Sequence, residues 1–464
     1  MISIYVDWNV VSQMRGGKFP ELKKMLSQKD RFNIYYSTAH IGDILSSYKA
    51  GNNQQQQLID EDLEYLSGLT DNFCICNDGT NIRLSYELPK TLFDQRVDEI
   101  DLLKDFSLSK LEELLNELPE LKGLGKSVIN NLKSQTLDQA FIDTLKNPES
   151  AKQLETIFPG LSNNPTMEGF FKSFGKMITN LNENEDYKEL RLITQSGLKI
   201  NRDKIFNTAD PFDMISDAYK KLGIKDQNQF IHGHNKSPDW FDEFTNNYIA
   251  LDMHGYQEDK VNTKKGRKET FNNTTNDAFH AAFSSTCNIY ILNDDKSFKK
   301  TQKVFEELKL NTLIFKPVEF KEYHDSFLKE RAADIDLKLP HQIIMSKPDT
   351  EKIADNTIIK SHYAPFFMFD YFNNIHSLYD IDGKLKMIVL SQIVPTNRGI
   401  TYYFEIENLS KKLYSVLGQD SDNLGTVSKS ELEQKDWIGR KWKFDGIGFR
   451  FTRSKGHYQF YYDY

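Results

Sequence analysis

Four aspartates stand where a carboxylate can reach a shared site. Asp7 follows the apolar run ISIYV, Asp43 lies in STAHIGDIL after the run FNIYYS, Asp277 begins DAFHAAFSSTC, and Asp295 lies in LNDDKSF after NIYIL. The runs are short, β-branched and aromatic, as buried strands are, so each acid is expected at a strand tip or on the helix that follows. The carboxyl ends of adjacent parallel strands share one edge, and ligands bind in the crevice outside it. Two unit charges ~4 Å apart repel by about 4 kcal/mol at an effective dielectric near 20, so several ionised aspartates in one crevice need a cation. Oxygen donors without nearby histidine or thiolate ligands suit Mg²⁺ or Mn²⁺ better than Zn²⁺. The chemistry this arrangement supports is phosphodiester hydrolysis, in which divalent ions activate water and stabilise the attacking and leaving oxygens.

The elements that must position these residues read as strand, helix, strand, helix. ISIYV is the first strand, FNIYYS the second and FCIC at 73–76 a third, with Ser37 or Thr38 capping the helix that carries His40 and Asp43. From about residue 78 to 236 the period is helical. Leu108, Leu111, Leu115 and Leu118 recur at helical spacing and Pro119 breaks the run, and further amphipathic pieces pass through Leu132, Phe141, Leu154, Phe170, Met177 and Leu190. The α/β pattern resumes near Trp240. A polar stretch, QEDKVNTKKGRKETFNNTTN, is expected to be a loop that ends at Asp277, where a helix opens, followed by the strands NIYIL and NTLIF. From about 335 onward, FFMFDYF, KMIVLSQIV, ITYYFEI and FRFTRSKGHYQFYYDY predict a β-rich or α+β domain. The fold class expected is therefore α/β: a parallel sheet flanked by helices, made of residues 1–77 and 237–320, with a helical insertion at 78–236 and a C-terminal β-rich domain at 335–464.

VDWNV, STAHIGDIL, NDAFHAAF and LNDDKSF resemble, in that order, the four acidic motifs of PIN-domain nucleases, a family that includes the VapC-like toxins. In that resemblance Asp7, Asp43, Asp277 and Asp295 match the acidic metal ligands, and Asn9 takes the usual asparagine position after the first. The resemblance covers residues 1–77 and about 237–320. It implies a PIN-like sheet and a Mg²⁺- or Mn²⁺-dependent endoribonuclease, often a toxin or RNA-processing enzyme. Two departures stand out. The second acid is more often glutamate, and Asn293 stands where Ser or Thr is common. Asp294 adds a carboxylate beside Asp295, and alignment with the motif before Lys296 favours Asp295 as the residue facing the metal. His40 and His280 each lie three residues from a site carboxylate and can orient it. A lone aspartate after a strand is also what a helix cap looks like, so the reading rests on four acids in motif order.

Composition bounds the rest. Hydrophobic residues make up 39% and charged residues 27% of the 464, within the globular range. A formal net charge of -8 argues against holding nucleic acid by broad electrostatics, so contact with RNA must be local. The best basic patch near the site is Lys264, Lys265, Arg267 and Lys268; a solvated loop has the same composition. Arg440, Lys441, Lys443, Arg450, Arg453 and Lys455 alternate with Trp437, Trp442, Phe449, Phe451 and Tyr458, as a single-strand-binding platform or a half-buried strand would. His232 and His234 have metal-pair spacing but no carboxylate or cysteine nearby to complete a set. Three cysteines are too few for a disulfide framework, no window holds ~18 uninterrupted apolar residues, and no basic leader precedes the first strand, so a cytoplasmic protein without membrane contact is expected.

The function expected is a metal-dependent endoribonuclease acting on RNA, regulated as a toxin or anti-phage defence effector requires. The same metal chemistry also serves DNA. The insertion and the C-terminal domain are the parts expected to gate the site or meet a regulatory protein or trigger, and a homodimer is compatible with the sequence. Two alternatives carry different predictions. A haloacid-dehalogenase-like phosphatase would need a second aspartate two positions after Asp7, where Asn9 stands. An inactive PIN-like scaffold would bind RNA or protein without a tight metal site.

Overall fold

The computed structural model describes residues 1–49, 51–104, 155, 159–166, 169, 173, 176, 186–221, 223, 237–259, 270–398 and 401–464. Of the sequence-predicted helical insertion, Leu108, Leu111, Leu115, Leu118, Leu132, Phe141, Leu154, Phe170 and Met177 lie outside the described residues, as do His232, His234 and the basic positions Lys264, Lys265, Arg267 and Lys268.

The structure is mixed α/β. Strands β1 (Ile2–Val6), β2 (Phe32–Ser37), β3 (Phe73–Asn77), β4 (Ile82–Tyr86), β5 (Ile289–Ile291) and β6 (Leu313–Phe315) form one sheet in the order β4-β3-β2-β1-β5-β6. Every pairing is parallel except that of β4, an edge strand antiparallel to β3. The sheet thus continues past residue 77. β1 is central, with Ile4 beside Ile34 on one side and Ile289 on the other. The chain steps outward through β2 and β3 and later returns to lay β5 against the free side of β1. That reversal is a topological switch point, where strand ends open a crevice.

Helices α1 (Trp8–Arg15), α2 (Pro20–Leu26), α3 (Thr38–Ser46), α4 (Asn53–Thr70), α5 (Pro89–Lys104), α6 (Asp186–Gly197), α7 (Arg202–Ile205), α8 (Pro211–Lys221), α9 (Asp239–His254), α10 (Phe271–Ser284), α11 (Asp295–Glu307) and α12 (Pro317–Tyr323) accompany this sheet. Successive residues of β1 point to opposite faces. Ile2, Ile4 and Val6 pack with Val10, Met14, Leu22, Leu63, Leu66 and Phe320, whereas Tyr5, Tyr35 and Tyr290 pack with Phe244, Tyr248, Ala281 and Phe283. Covering both faces explains why all of β1 and β2 is buried and why their sequences are apolar without strict alternation. Ile205 of α7 and Ile215 of α8 belong to the second of these cores.

A second sheet follows. α13 (Ala333–Ile343) leads into β7 (Thr350–Ala354), β8 (Thr357–Met368), β9 (Phe372–Asp380) and β10 (Leu385–Ser391); α14 (Tyr403–Leu417) and α15 (Lys429–Leu432) precede β11 (Arg440–Phe444), β12 (Ile447–Ser454) and β13 (His457–Asp463). The seven strands are antiparallel in the order β11-β12-β13-β10-β9-β8-β7. Trp442, Phe449 and Phe451 are buried against Leu409 and Leu413 of α14. Arg440 is buried and forked onto Glu431, and Arg450 pairs with Asp463. The alternation of cations and aromatics is therefore that of a half-buried strand, with its aromatic faces spent on the core.

This second unit docks against the amino-terminal edge of the parallel sheet. Arg31, just before β2, makes a buried ion pair with Asp370 at 2.8 Å, and Lys412 of α14 joins the same carboxylate. Arg398 pairs with Glu405 at 2.6 Å and reaches the Ser3 hydroxyl at 3.4 Å. Asn397 donates to Ser285, Asn311 donates to the Val394 carbonyl, and Phe73 stacks on Phe404. Among the described residues, no helix is long and apolar enough to cross a membrane.

Candidate active site

Asp7 ends β1 and caps α1. Its Oδ2 accepts from the Asn9 N–H at 3.0 Å, its Oδ1 lies 3.5 Å from the Tyr290 hydroxyl, and its own N–H donates to the Ile291 carbonyl at 2.9 Å. The last bond ties the tip of β1 to the tip of β5, at the switch point. Asn9 turns its side-chain oxygen to the Gln13 amide at 2.6 Å, within α1.

Ser37 caps α3 and His40 closes the capping box, its Nδ1 accepting from the Ser37 N–H at 3.1 Å. With Nδ1 an acceptor, the proton sits on Nε2, which donates to the Val6 carbonyl at 2.8 Å. Burial, with the charge of His280 adding to it, holds His40 well below the usual imidazole range, so it is neutral. It therefore locks the backbone beside Asp7 and does not touch Asp43.

Asp43 is held from α10 instead. Asn276 donates to its Oδ1 and His280 Nε2 lies against its Oδ2, both at 3.0 Å. The two helices meet closely because α3 carries Gly42 at the crossing, where a Cβ would come within 3.1 Å of the Asn276 side chain. His280 Nδ1 lies 2.8 Å from the Tyr5 hydroxyl, which is itself 2.6 Å from Ser37 Oγ. Burial pulls the His280 imidazole down, but the hydrogen bond to Asp43 and the charges of Asp7, Asp43 and Asp277 outweigh it and hold its pKa above the ordinary value.

Asp277 lies in the second turn of α10, which corrects the expectation that it opens the helix. α10 begins at Phe271, and FNNTT, expected in a loop, is helical because Phe271 is anchored against the Tyr187 ring at 5.1 Å. The Asp277 Oδ2 accepts from Ser297 Oγ at 2.8 Å. Burial, then the charges of Asp259, Asp7 and Asp43, push its carboxyl well above the usual range, against the opposing pull of Lys300. Asp7 is raised as well, by burial first and by Asp43 and Asp294, with His280 and the Asn9 N–H opposing.

The fourth acid falls differently from the sequence expectation. Asp294 is the N-cap of α11, accepting from the N–H groups of Lys296 at 3.0 Å and Ser297 at 2.8 Å, and its charge bears on Asp7. Asp295 is the first helical residue, 76% exposed and paired with Lys316, which lowers its pKa. The cap geometry decides this, because the capping side chain folds back over the helix start while the next residue turns outward. Asn293 is half-buried in the connection from β5.

Three acids from separate elements, Asp7, Asp43 and Asp277, thus share one electrostatic neighbourhood, with Asp294 at its edge. None of the three is fully enclosed. No family model, curated protein or solved structure matches the chain. Among the described residues, Asp7 and Asp277 have no cationic side chain in contact, and no three acidic, histidine or cysteine side chains are drawn tightly enough together to enclose a metal ion. The donor set is oxygen-rich, and among the described residues its only ion-pair partner is His280 on Asp43, so the charge of Asp7 and Asp277 is of the kind a hard divalent cation satisfies.

Sequence reasoning missed Tyr5, Asn276, Ser297, Asp259 and Lys300. Asn276 and His280 are four apart on one helix, and Ser297 follows its cap by three, so local spacing held a signal for these. Nothing local marks Tyr5 or Lys300.

Proposed function

We propose that this chain is a PIN-type, metal-dependent endoribonuclease that hydrolyses RNA phosphodiester bonds at the crevice beyond β1 and β5. The observation that carries the reading is the shared electrostatic neighbourhood of Asp7, Asp43 and Asp277, from β1, α3 and α10, at the switch point of a parallel sheet, with His280 on Asp43 their only ion-pair partner among the described residues. Asp7, Asp43, Asp277 and Asp294 would hold Mg²⁺ or Mn²⁺. The ion supplies charge neutralisation and activation of water.

The protein's own part is orientation. The Asn9 N–H and the Tyr290 hydroxyl fix Asp7, Asn276 and His280 fix the two oxygens of Asp43, and Ser297 fixes Asp277. Holding each carboxylate in one rotamer lowers the reorganisation needed when substrate binds. The role as a regulated toxin or defence effector rests on the added parts. The second sheet abuts the amino-terminal edge, a strand length of ~16 Å from the acids, so it does not cover the crevice.

The test is cleavage of single-stranded RNA and tRNA with Mn²⁺ and with chelator, with DNA as the comparison substrate. Asp7→Asn and Asp277→Asn should each lower the rate at least about 100-fold, in the range of lost transition-state electrostatics. Asp294→Asn should cost more than Asp295→Asn, which is expected to stay within about threefold of wild type on the surface-pair argument. Wild-type protein that cuts no RNA with Mn²⁺ would sink the proposal and leave a binding scaffold as the reading.

A further inference from the structure

Beside the crevice lies a buried set of charges that the four-acid site does not use. Lys300 of α11 is fully buried, its Nζ 3.2 Å from Asp252 Oδ1 and 2.6 Å from Asp259 Oδ2, over the Tyr248 ring. Asp252, on α9, is also fully buried. Its carboxylate takes Arg191 Nη1 at 3.0 Å and the Tyr187 hydroxyl at 2.5 Å, both from α6, and the Asp259 N–H at 2.9 Å. Arg191 Nη2 donates to the Asp259 carbonyl at 2.7 Å. Two cations and two carboxylates therefore close a network between α6, α9, the segment after α9, and α11.

The network adjoins the site on one helix face. Ser297 and Lys300 are three apart on α11; the first holds Asp277 and the second holds Asp259. Asp259 is 29% exposed. Gly255, which turns the chain from α9 toward Asp259 at φ +102°, is packed so closely that a Cβ would lie 3.2 Å from Gln195 of α6. The position of Asp259 is thus set from two sides, by Lys300 with Lys296 at 3.9 Å behind it, and by α6.

We propose that Lys300 is a positioning residue for the acidic crevice, and that by sharing Asp252 with Arg191 it makes the arrangement of Asp259 and Asp277 depend on the seating of α6. If α6 lifts, Asp252 loses Arg191 and Tyr187 and keeps Lys300 as its one cation, beside the Asp259 N–H. The ammonium is then drawn toward the fully buried carboxylate and away from Asp259, whose segment loosens beside Asp277. A regulator that moves α6 therefore changes the site without touching it. The consequence for catalysis rests on the nuclease reading; the coupling does not.

Arg191→Met, Arg191→Lys and Asp259→Asn proteins are compared with wild type by hydrogen exchange without metal, by Mn²⁺ titration and by RNA cleavage. Arg191→Met should raise exchange at least tenfold in residues 252–259 and 271–284 and weaken Mn²⁺ binding at least tenfold, with Arg191→Lys recovering most of both. Asp259→Asn, which removes only a partly exposed partner of Lys300, should weaken Mn²⁺ binding while leaving α6 protected. Wild-type exchange over 271–284 in Arg191→Met overturns the coupling. If wild type binds no Mn²⁺, the nuclease reading fails and exchange alone decides the coupling.

Discussion

The carboxyl of Asp277 is held well above its ordinary value because burial and three neighbouring acids outweigh the pull of Lys300. The folded protein therefore binds this proton more tightly than the unfolded chain does. Stability from the group is fully present below the unfolded value of about 4 and is lost as pH rises through the folded value. At neutral pH the group therefore weakens the metal-free fold. Asp277→Asn keeps an acceptor for Ser297 and removes the charge, so in chelator at pH 7.5 it should raise stability by about 1 kcal/mol, a modest figure because partial exposure screens the charge. The gain should shrink as pH falls toward 4. Urea unfolding across that range reads it, and a variant no more stable than wild type at pH 7.5 would show that the acid is already compensated.

At the scale of elements, the crevice depends on how closely α3 and α10 cross. Gly42 makes room for Asn276, whose amide and the neighbouring His280 take both oxygens of Asp43. A methyl at position 42 would stand 3.1 Å from that amide. Gly42→Ala should gain a little intrinsic helix stability, under ~1 kcal/mol, yet displace Asn276 and lower RNA cleavage by about tenfold. Gly42→Val should do the same to activity and also destabilise by ~1–3 kcal/mol through overpacking. Activity equal to wild type in both would mean that the orientation of Asp43 does not depend on this crossing.

At the scale of the molecule, one buried carboxylate joins the two sheets. Asp370 is held below the usual carboxylate range because its contacts with Arg31 and Lys412 outweigh burial. Asp370→Asn leaves both cations facing each other and should cost ~3–5 kcal/mol, the penalty of breaking one side of a buried pair. Because these contacts lie at the edge of the sheet away from the acids, Mn²⁺ affinity of the still-folded protein should change less than twofold. Urea denaturation and Mn²⁺ titration of the same sample give both numbers. A large loss of affinity would instead show that the interface is wired to the crevice through β1 and β5.

The sequence by itself determined five of the six strands of the first sheet and their kind; β4, inside the stretch read as a helical insertion, was not legible because it is a short edge strand with little buried surface. ISIYV, FNIYYS and NIYIL are largely apolar on both faces, and only a sheet covered on both sides buries such runs, so the mixed α/β class and the later β-rich segment were legible. Asp7 at the tip of β1 was legible for the same reason, because a strand end and its cap are local events. Tertiary structure decided what no local pattern encodes. Asp294 and Asp295 are equivalent in composition, and only the cap geometry and Lys316 separate them. FNNTT reads as a loop until Phe271 meets Tyr187, more than eighty residues away in the chain. Lys300 looks like one of several surface lysines in DKSFKK until α6 and α9 close over it with Arg191 and Asp252. Strand and cap preferences act over a few residues, whereas the charge balance of a buried crevice is set by whichever distant side chains the fold brings within reach.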